Sequence, residues 1–337
     1  MEGTGLLSDY GVKQMMLSVT GRYALSFCVA AALVAGCGGS QPPIGAPGAM
    51  PQGLMRSEAG RHLDYKATAP LVFVVNLGNQ NVTVYRATAK NPSPLATISE
   101  GLSLPGGACI DGQGTLYVAN DPGSGGWVSE YPLGKTTPSM IITYGIYIPG
   151  YCAIDGEGNL WVSNIYGANA TEYLKGSKKP HTVITKGLVY PVGIAIDRSG
   201  NLYVGNGVGA SEQNVEVYTP GSKSPSRTIT NGVTSPAGLA VDSDGTLYVA
   251  NVNQNTVAEY RSGQDYPFQT ITESMFYPAG VTFDKKGTLY VANAYWSRSA
   301  GSAANEFALG SLKPLKRQIS KSLFEPFGVA YYPALLP

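Results

Sequence analysis

The chain has 337 residues, of which 13% are charged, and its formal net charge at pH 7 is +1. This near-neutral balance excludes the strongly basic surface that binds nucleic acid or anionic lipid, so we expect no nucleic-acid partner. The length is ample for a hydrophobic core, and one folded domain is the expected count.

Residues 1–36 are predicted to be an export signal. A polar stretch with Lys13 and Arg22 precedes an apolar run, YALSFCVAAALVAGC over 23–37. The run is shorter than the membrane span of about 20 residues and is typical of a signal sequence. Its end, LVAGC, resembles the bacterial lipobox, and this resemblance implies that Cys37 is lipidated and starts the mature chain. An ordinary cleaved signal or a weak anchor helix is the alternative.

Residues 37–69 are predicted to be a flexible tether. They contain GGSQPPIGAPGAMPQG, a composition that cannot bury a core. The folded domain is expected at 70–337. On this interpretation the lipid is the only attachment to a membrane. The protein then belongs to the bacterial cell envelope, in the periplasm or at the outer membrane of a Gram-negative cell, or is secreted.

A ten-residue motif recurs through the rest of the chain, for example DGQGTLYVAN at 111–120 and DSDGTLYVAN at 242–251. A shorter copy, VFVVN, is the first. By subtraction, the last residues of the copies are 42–45 positions apart. These residues are Asn76, Asn120, Asn164, Asn206, Asn251 and Asn293. A period of this length indicates a propeller, a solenoid or another array of repeated units.

Each period contains four β-rich runs bounded by Gly, Pro, Asn and Asp. A Pro-x-Gly run such as PAGLAVD (236–242) comes first, and the motif strand follows it. An alternating segment such as VEVY (215–218) and a short run such as RTIT (227–230) complete the period. Helical periodicity is not evident over any useful length. Four short strands at this spacing describe one propeller blade.

The two ends of the repeated region predict how the ring closes. After the sixth motif, PFGVAYY (326–332) is a first strand without a second, whereas the copy ending at Asn76 has no Pro-x-Gly strand before it. We therefore predict an all-β, six-bladed β-propeller with four-stranded blades, in which the C-terminal strand completes the N-terminal blade as its innermost strand. This pairing leaves no open sheet edge between the chain ends.

The stretches PVGIAIDRSGNLYVGN (191–206) and PAGLAVDSDGTLYVAN (236–251) resemble the NHL repeat, whose members form six-bladed propellers. The resemblance covers residues 71–332. It implies a fold and no single activity, because related propellers include ligand-binding scaffolds, lyases and lactonases. NHL strands often end in Asp, whereas all six strands end in Asn in this chain. We expect these asparagines to bond the loop backbone at the strand end.

The opening Asp-x-Asp-Gly of the copy at 242–251 is compatible with either a calcium loop or a hairpin turn. A calcium loop needs about 6–8 oxygen ligands, including a late Glu, whereas here a strand begins at once. We therefore predict a turn in which the Asp accepts backbone hydrogen bonds and the Gly supplies a positive φ.

Two cysteines fall within the repeats, in the innermost strands of neighbouring blades. Cys109 and Cys152 are one register position apart, so their side chains either face each other across one interface or point away from each other. Facing sheets are usually about 10 Å apart, which is wide for a disulfide. We therefore favour two packed thiols, and a disulfide, which an exported protein permits, is the alternative.

The sequence predicts no catalytic residue, no metal site and no cofactor. His62 lies in the tether, and His181 lies at the start of an outer strand, away from the central channel. The residues before the six inner-strand prolines should surround the channel mouth, and they include a single carboxylate, which is too few for a metal cage. They are Leu104, Ile148, Tyr190, Ser235, Tyr277 and Glu325.

Aromatic residues are frequent on the loops that follow the six asparagines and on those that precede Pro-x-Gly. These loops share one surface of a propeller, which we name the mouth face. Aromatic rings there suit a small molecule, a glycan or a peptide or protein partner, although they can also simply plug the channel. The candidate ligand-binding residues are Tyr147, Tyr190, Tyr277, Trp296, Glu325 and Phe327.

The function that we favour is a monomeric binding scaffold that works through this aromatic face. The alternative is a lactonase- or lyase-like propeller enzyme with its site at the channel mouth. An enzyme should bring acids and amides together at the channel mouth around an ion.

Overall fold

The structure is a computed structural model that describes residues 70–207, 213–294 and 302–333. The predicted signal at 1–36 and the predicted tether at 37–69, including Cys37, lie outside the described residues. Within the described ranges the chain forms 24 β-strands and one 3-10 turn at Val252–Gln254. In this part of the chain, no helix is long and apolar enough to span a membrane.

The strands form six antiparallel sheets of four strands each, which are the blades. Blade 1 begins with β1 (Leu71–Asn76), β2 (Asn81–Arg86) and β3 (Ala96–Ile98). Blade 2 holds β4 (Pro105–Ile110), β5 (Leu116–Asn120), β6 (Trp127–Tyr131) and β7 (Met140–Ile142). Blade 3 holds β8 (Pro149–Ile154), β9 (Leu160–Asn164), β10 (Asn169–Tyr173) and β11 (Thr182–Ile184).

The second half of the ring repeats this arrangement. Blade 4 holds β12 (Pro191–Ile196), β13 (Leu202–Asn206), β14 (Asn214–Tyr218) and β15 (Arg227–Ile229). Blade 5 holds β16 (Pro236–Val241), β17 (Leu247–Asn251), β18 (Thr256–Tyr260) and β19 (Gln269–Ile271). Blade 6 holds β20 (Pro278–Phe283), β21 (Leu289–Asn293), β22 (Ala303–Phe307) and β23 (Pro314–Ile319), and β24 (Pro326–Tyr332) follows it.

The predicted fold class and ring closure are confirmed. Blade 1 has the strand order β24-β1-β2-β3, so the last strand of the chain is its innermost strand. The pairing of β24 with β1 is antiparallel and runs from Leu71↔Tyr332 to Asn76↔Pro326. The sequence predicts this closure because the C-terminal Pro-x-Gly strand has no motif strand after it and the first motif strand has no Pro-x-Gly strand before it. The two strands therefore pair with each other.

Each blade packs its two faces against its two neighbours. In β17, Leu247 and Val249 join the cluster shared with blade 4, whereas Tyr248 and Ala250 join the cluster shared with blade 6. Alternation along a strand sends successive side chains to opposite faces, so a strand between two blades has to be apolar at every position. This explains the continuous apolar character of the LYVAN runs.

The Asp-x-x-Gly segments are turns, as predicted. In the copy that suggested a calcium loop, the Oδ1 of Asp242 accepts the backbone N–H groups of Asp244 and Thr246, both at 2.9 Å. Gly245 completes the turn with a φ of 81°. The other four full copies make the same pair of bonds, so this carboxylate oxygen serves the turn in each of them.

The prediction of two packed thiols is wrong, because Cys109 of β4 and Cys152 of β8 form a disulfide. Their Cα atoms are 5.5 Å apart. The spacing of about 10 Å holds for sheets packed face to face through side chains, whereas the inner strands converge on the ring axis with glycines between them. A Cβ atom on Gly106, for example, would lie 3.2 Å from the carbonyl oxygen of Gly150.

The disulfide fastens blade 2 to blade 3 directly beside the channel. It joins residues 43 positions apart in the chain. A cross-link over a loop of this size stabilises the fold by about 2–4 kcal/mol, mainly by restricting the unfolded chain.

Candidate functional site

The mouth face rests on six equivalent asparagine side chains. Each Asn oxygen accepts the N–H of the residue two places before the inner-strand proline, at 2.8–3.2 Å. The amide nitrogens donate in turn, for example from Asn206 to the carbonyl oxygen of Gly187 at 2.8 Å and from Asn251 to that of Gly232 at 2.9 Å. The side chain at this position has to donate hydrogen bonds as well as accept them. Asn can do both, whereas an ionised Asp can only accept. The expected bonding to the loop backbone is confirmed.

The residues before the six prolines share one unusual backbone conformation. Their φ angles lie between 43° and 54°, a region that residues with a side chain rarely adopt. Each carbonyl accepts the N–H of the residue that follows the asparagine of the same blade, as in Gly207 to Tyr190 at 3.1 Å and Ala294 to Tyr277 at 3.0 Å. The backbone at the channel mouth is therefore held from two sides in every blade.

Tyr151 closes the central channel at the mouth face. The inner strand of blade 3 has Tyr151 at the position where the other five inner strands have glycine. Its hydroxyl lies 2.9 Å from the carbonyl oxygen of Ala279 in blade 6 and 3.0 Å from that of Phe327 in blade 1. Its ring stacks on that of Phe327 with 5.7 Å between the ring centroids. A single side chain thus connects blade 3 to the far side of the ring.

The residues around Tyr151 leave space for its ring. A Cβ atom on Gly107 would lie 2.4 Å from the tyrosine ring, so glycine is required there. Burial raises the pKa of the Tyr151 phenol well above its usual value, which keeps the hydroxyl neutral and able to donate. Beneath it, the inner strands of all six blades enclose a cavity of about 130 Å³.

Three tyrosines form an aromatic cluster on the mouth face of blades 3 and 4. The ring centroids of Tyr147 and Tyr166 are 6.4 Å apart, and those of Tyr166 and Tyr190 are 5.6 Å apart in an edge-to-face arrangement. Tyr147 is 49% exposed and Tyr166 is 48% exposed. Aromatic pairs at these separations attract each other by about 0.5–1.5 kcal/mol beyond their area burial, which helps to hold the rings in place. We name Tyr147, Tyr166 and Tyr190 the aromatic cluster.

The structure brings two of the six predicted ligand-binding residues, Tyr147 and Tyr190, into the aromatic cluster. Tyr166, which joins them, was not among the six, although it follows Asn164 on the same kind of loop. Phe327 is half-buried and lies outside the cluster, where its ring stacks on that of Tyr151.

The remaining candidates lie elsewhere on the ring. Tyr277 is half-buried in blade 6, where its backbone N–H donates to Oδ1 of Asn255 at 2.7 Å. Glu325 is half-buried in blade 1, with a carboxylate oxygen 3.1 Å from where a Cβ atom on Gly78 would lie. Trp296 lies outside the described residues.

The mouth face also has charged side chains, among them Asp121 in blade 2 and the exposed Lys186 on the loop before Tyr190. Asp121 follows the asparagine of blade 2, and burial raises the pKa of its carboxyl group, although the N–H of Gly123 donates to it at 2.8 Å and opposes the shift. Across the described ranges, no three His, Cys, Asp or Glu side chains are placed to hold a metal ion. The arrangement presents aromatic rings, backbone groups and a few charged side chains to a ligand.

No protein-family model matches the chain, and no curated protein matches it in sequence. Its fold does resemble solved structures. A chain in the crystal structure of a nidogen/laminin complex aligns with a TM-score of 0.63 and 18% identity, covering 78% of this chain and 98% of that one. A protein of unknown function from Bacteroides caccae aligns with a TM-score of 0.62 and 12% identity, covering 78% and 99%. At these identities the likeness establishes the six-bladed propeller fold alone.

Proposed function

We propose that this protein is a lipid-anchored propeller of the bacterial cell envelope that binds a small molecule, a glycan or a peptide or protein partner through its mouth face. The observation that carries the proposal is the aromatic cluster, in which two of three rings are about half exposed although they contact one another. Exposed aromatic rings held in fixed positions are the typical anchors of a binding surface, because little entropy is lost when a ligand covers them.

The scaffold beneath the cluster supports this function. Tyr190 has a positive φ, and Tyr147 precedes Ile148, which also has one. The side-chain oxygens of Asn164 and Asn206 accept backbone N–H groups of the two loops. The disulfide fixes blade 3 to blade 2 below the same surface. A rigid ring with variable loops is a common basis for binding. A similar ring in a nidogen/laminin complex belongs to a protein–protein assembly.

The alternative of a lactonase- or lyase-like enzyme would need open space at the channel mouth. Tyr151 and Phe327 occupy that place and bond or stack with each other. No observation on the described residues favours this alternative.

Replacing a tyrosine of the cluster should weaken binding and leave the fold intact. We expect Tyr147→Ala and Tyr190→Ala each to weaken binding of a ligand found by a glycan or peptide screen by about 1–3 kcal/mol, the effect of a central interface aromatic. Tyr277→Ala is expected to act in the same range if the site extends to blade 6. Isothermal titration against the selected ligand measures the change.

Tyr266→Ala is the matched control for these variants. Tyr266 is 70% exposed in the loop between β18 and β19, at the opposite end of the strands from the mouth face. Its replacement should leave affinity unchanged. Equal losses for Tyr266→Ala and Tyr190→Ala, or a fall in melting temperature without a loss of affinity for the cluster variants, would argue against a binding role of the cluster.

The lipid anchor has its own test. Cys37→Ser should abolish lipidation and release the protein from the membrane fraction, because a thioether-linked lipid needs the cysteine sulfur. Cell fractionation and the mass of the N-terminal peptide measure both effects. Retention of Cys37→Ser in the membrane, with no lipid mass on the unaltered protein, would contradict the anchor.

A further inference from the structure

A second, larger cavity lies between blades 3 and 4 at the opposite end of the strands. We name that surface the turn face, since the Asp-x-x-Gly turns and the loops between the third and fourth strands form it. The cavity has a volume of about 540 Å³, within the range of about 300–1,000 Å³ of small-molecule sites. Its lining includes Trp161, Glu172, His181, Thr182, Arg198 and Lys223.

The cavity is open because one short side chain occurs where neighbouring blades have long ones. Two places before the buried isoleucine of the outer strand, blade 4 has Arg227 and blade 5 has Gln269, whereas blade 3 has Thr182. Arg227 reaches the next blade and pairs with Asp265 at 3.0 Å. Gln269 extends towards the carbonyl oxygen of Gly310 in the next blade, at 3.5 Å. Thr182 is too short for either contact, so no side chain of blade 3 fills the space beside blade 4 in this way.

A carboxylate that lines this cavity also differs in its hydrogen bonding from its equivalents in other blades. Glu172 lies directly across from Trp161 in the β9–β10 ladder. Its equivalent in blade 5, Glu259, accepts a bond from Gln269 at 3.2 Å, and its equivalent in blade 2, Glu130, accepts one from Ser139 at 3.2 Å. Within the described ranges, neither the side chain of Glu172 nor the indole N–H of Trp161 has a hydrogen-bond partner.

One residue that lines this cavity also differs from its equivalents in the other copies of the motif. Trp161 replaces the tyrosine that the other four full copies of the motif have at this place. It is half-buried and lines the cavity. An aromatic face, an unpartnered acceptor and an unpartnered donor thus converge on a concave space, which is the usual composition of a small-ligand site.

The charges around the cavity favour a neutral polar ligand. Glu157 and Glu172 supply negative charge, and Arg198 and Lys223 supply positive charge. Asp155, which also lines the cavity and adds negative charge, accepts the N–H groups of Glu157 and Asn159 in its own turn. Three carboxylates and two cationic side chains nearly cancel, so a phosphate or a polycation gains little there, whereas hydroxyl groups can donate to the carboxylates and accept from the cationic side chains.

We propose that the cavity is a second binding site, independent of the aromatic cluster, and that it takes a saccharide. The apolar face of a sugar ring packs on Trp161, a hydroxyl donates to the carboxylate of Glu172, and the indole N–H together with Arg198 or Lys223 donates to sugar oxygens. This site lies between blades 3 and 4 on the turn face and uses no residue of the mouth face.

The experiment is a ligand-observed NMR titration of the full chain with glucose, galactose, mannose, N-acetylglucosamine, lactose and cellobiose. We expect at least one of these sugars to bind with a Kd on the order of 1 mM or tighter. Thr182→Arg, which copies the side chain of blade 4, should fill the cavity and weaken binding about tenfold or more. Glu172→Gln, which keeps the shape and removes the charge, should weaken it by about tenfold.

Two controls locate the site. Tyr190→Ala should leave sugar binding unchanged, and the melting temperature of Glu172→Gln should match that of the unaltered protein. The proposal is overturned if none of the six sugars binds, if Thr182→Arg and Glu172→Gln bind as the unaltered protein does, or if Tyr190→Ala alone removes binding. The last result would assign the sugar to the aromatic cluster instead.

Discussion

Deletion of residues 325–337 is expected to abolish cooperative folding. The deletion removes β24, which pairs with the inner edge of β1, and exposes the backbone donors and acceptors of Leu71–Asn76. It also removes Val329 and Tyr331 from the core shared with blade 6 and Ala330 from the core shared with blade 2. Burial of a large apolar side chain contributes about 1.5–3 kcal/mol, and a whole domain is stable by only about 5–15 kcal/mol.

The measurement for this variant is thermal unfolding followed by circular dichroism, together with size-exclusion chromatography. Aggregated or unfolded material is the expected result. A shorter deletion of residues 334–337, which lie beyond β24, is the control and should leave the melting temperature unchanged. A soluble 325–337 deletion that melts like the unaltered protein would disprove closure of the ring by β24.

Tyr151→Ala is expected to lower the free energy of unfolding by about 3–5 kcal/mol, the usual cost of emptying the space of a buried aromatic ring. Tyr151 is only 6% exposed and contacts the backbone of blades 1 and 6 across the channel. Its loss removes the stacking with Phe327 and unites the channel cavity with solvent at the mouth face. Urea unfolding monitored by fluorescence measures the change.

Tyr151→Phe separates the hydroxyl from the ring. It keeps the stacking and the volume but removes the donor to the carbonyl oxygens of Ala279 and Phe327, so we expect a smaller loss of about 1–2 kcal/mol. If Tyr151→Ala is as stable as the unaltered protein, the side chain of Tyr151 neither connects the blades nor holds the channel closed.

The fold could be predicted from the sequence because it is repeated. A turn aspartate such as Asp242, an apolar strand such as Leu247–Asn251 and a Pro-x-Gly strand occur at one period, and each copy supports the interpretation of the others. The two incomplete pieces, at Asn76 and at 326–332, then leave one way to close the ring. An ambiguous pattern in one strand therefore matters less, because the other copies predict a strand at the same position.

The site could be predicted only in part, because it depends on where one copy differs from the rest. Tyr151 and Trp161 both replace the residue that the other full copies share at their positions, and Thr182 is short where Arg227 and Gln269 are long. A residue-by-residue comparison of the copies shows these departures. Their consequences, a hydrogen bond across the ring and a cavity between two blades, depend on three-dimensional distances that the sequence does not contain.

The disulfide shows the same limit. The register offset between Cys109 and Cys152 predicts that their side chains either face each other or diverge, and the choice depends on how closely the inner strands approach. Glycines such as Gly106 and Gly150 allow a Cα separation of 5.5 Å at the axis. A general spacing for packed sheets could not supply that value.

The most direct test of the proposed function compares the unaltered protein with the double variant Tyr147→Ala/Tyr190→Ala on one glycan and peptide array. We predict that the unaltered protein binds a defined set of array members and that the double variant loses those signals, while both proteins show the same melting temperature and the Tyr266→Ala control keeps the signals. An array on which the unaltered protein binds nothing, or on which the double variant binds the same members equally well, would contradict binding through the aromatic cluster.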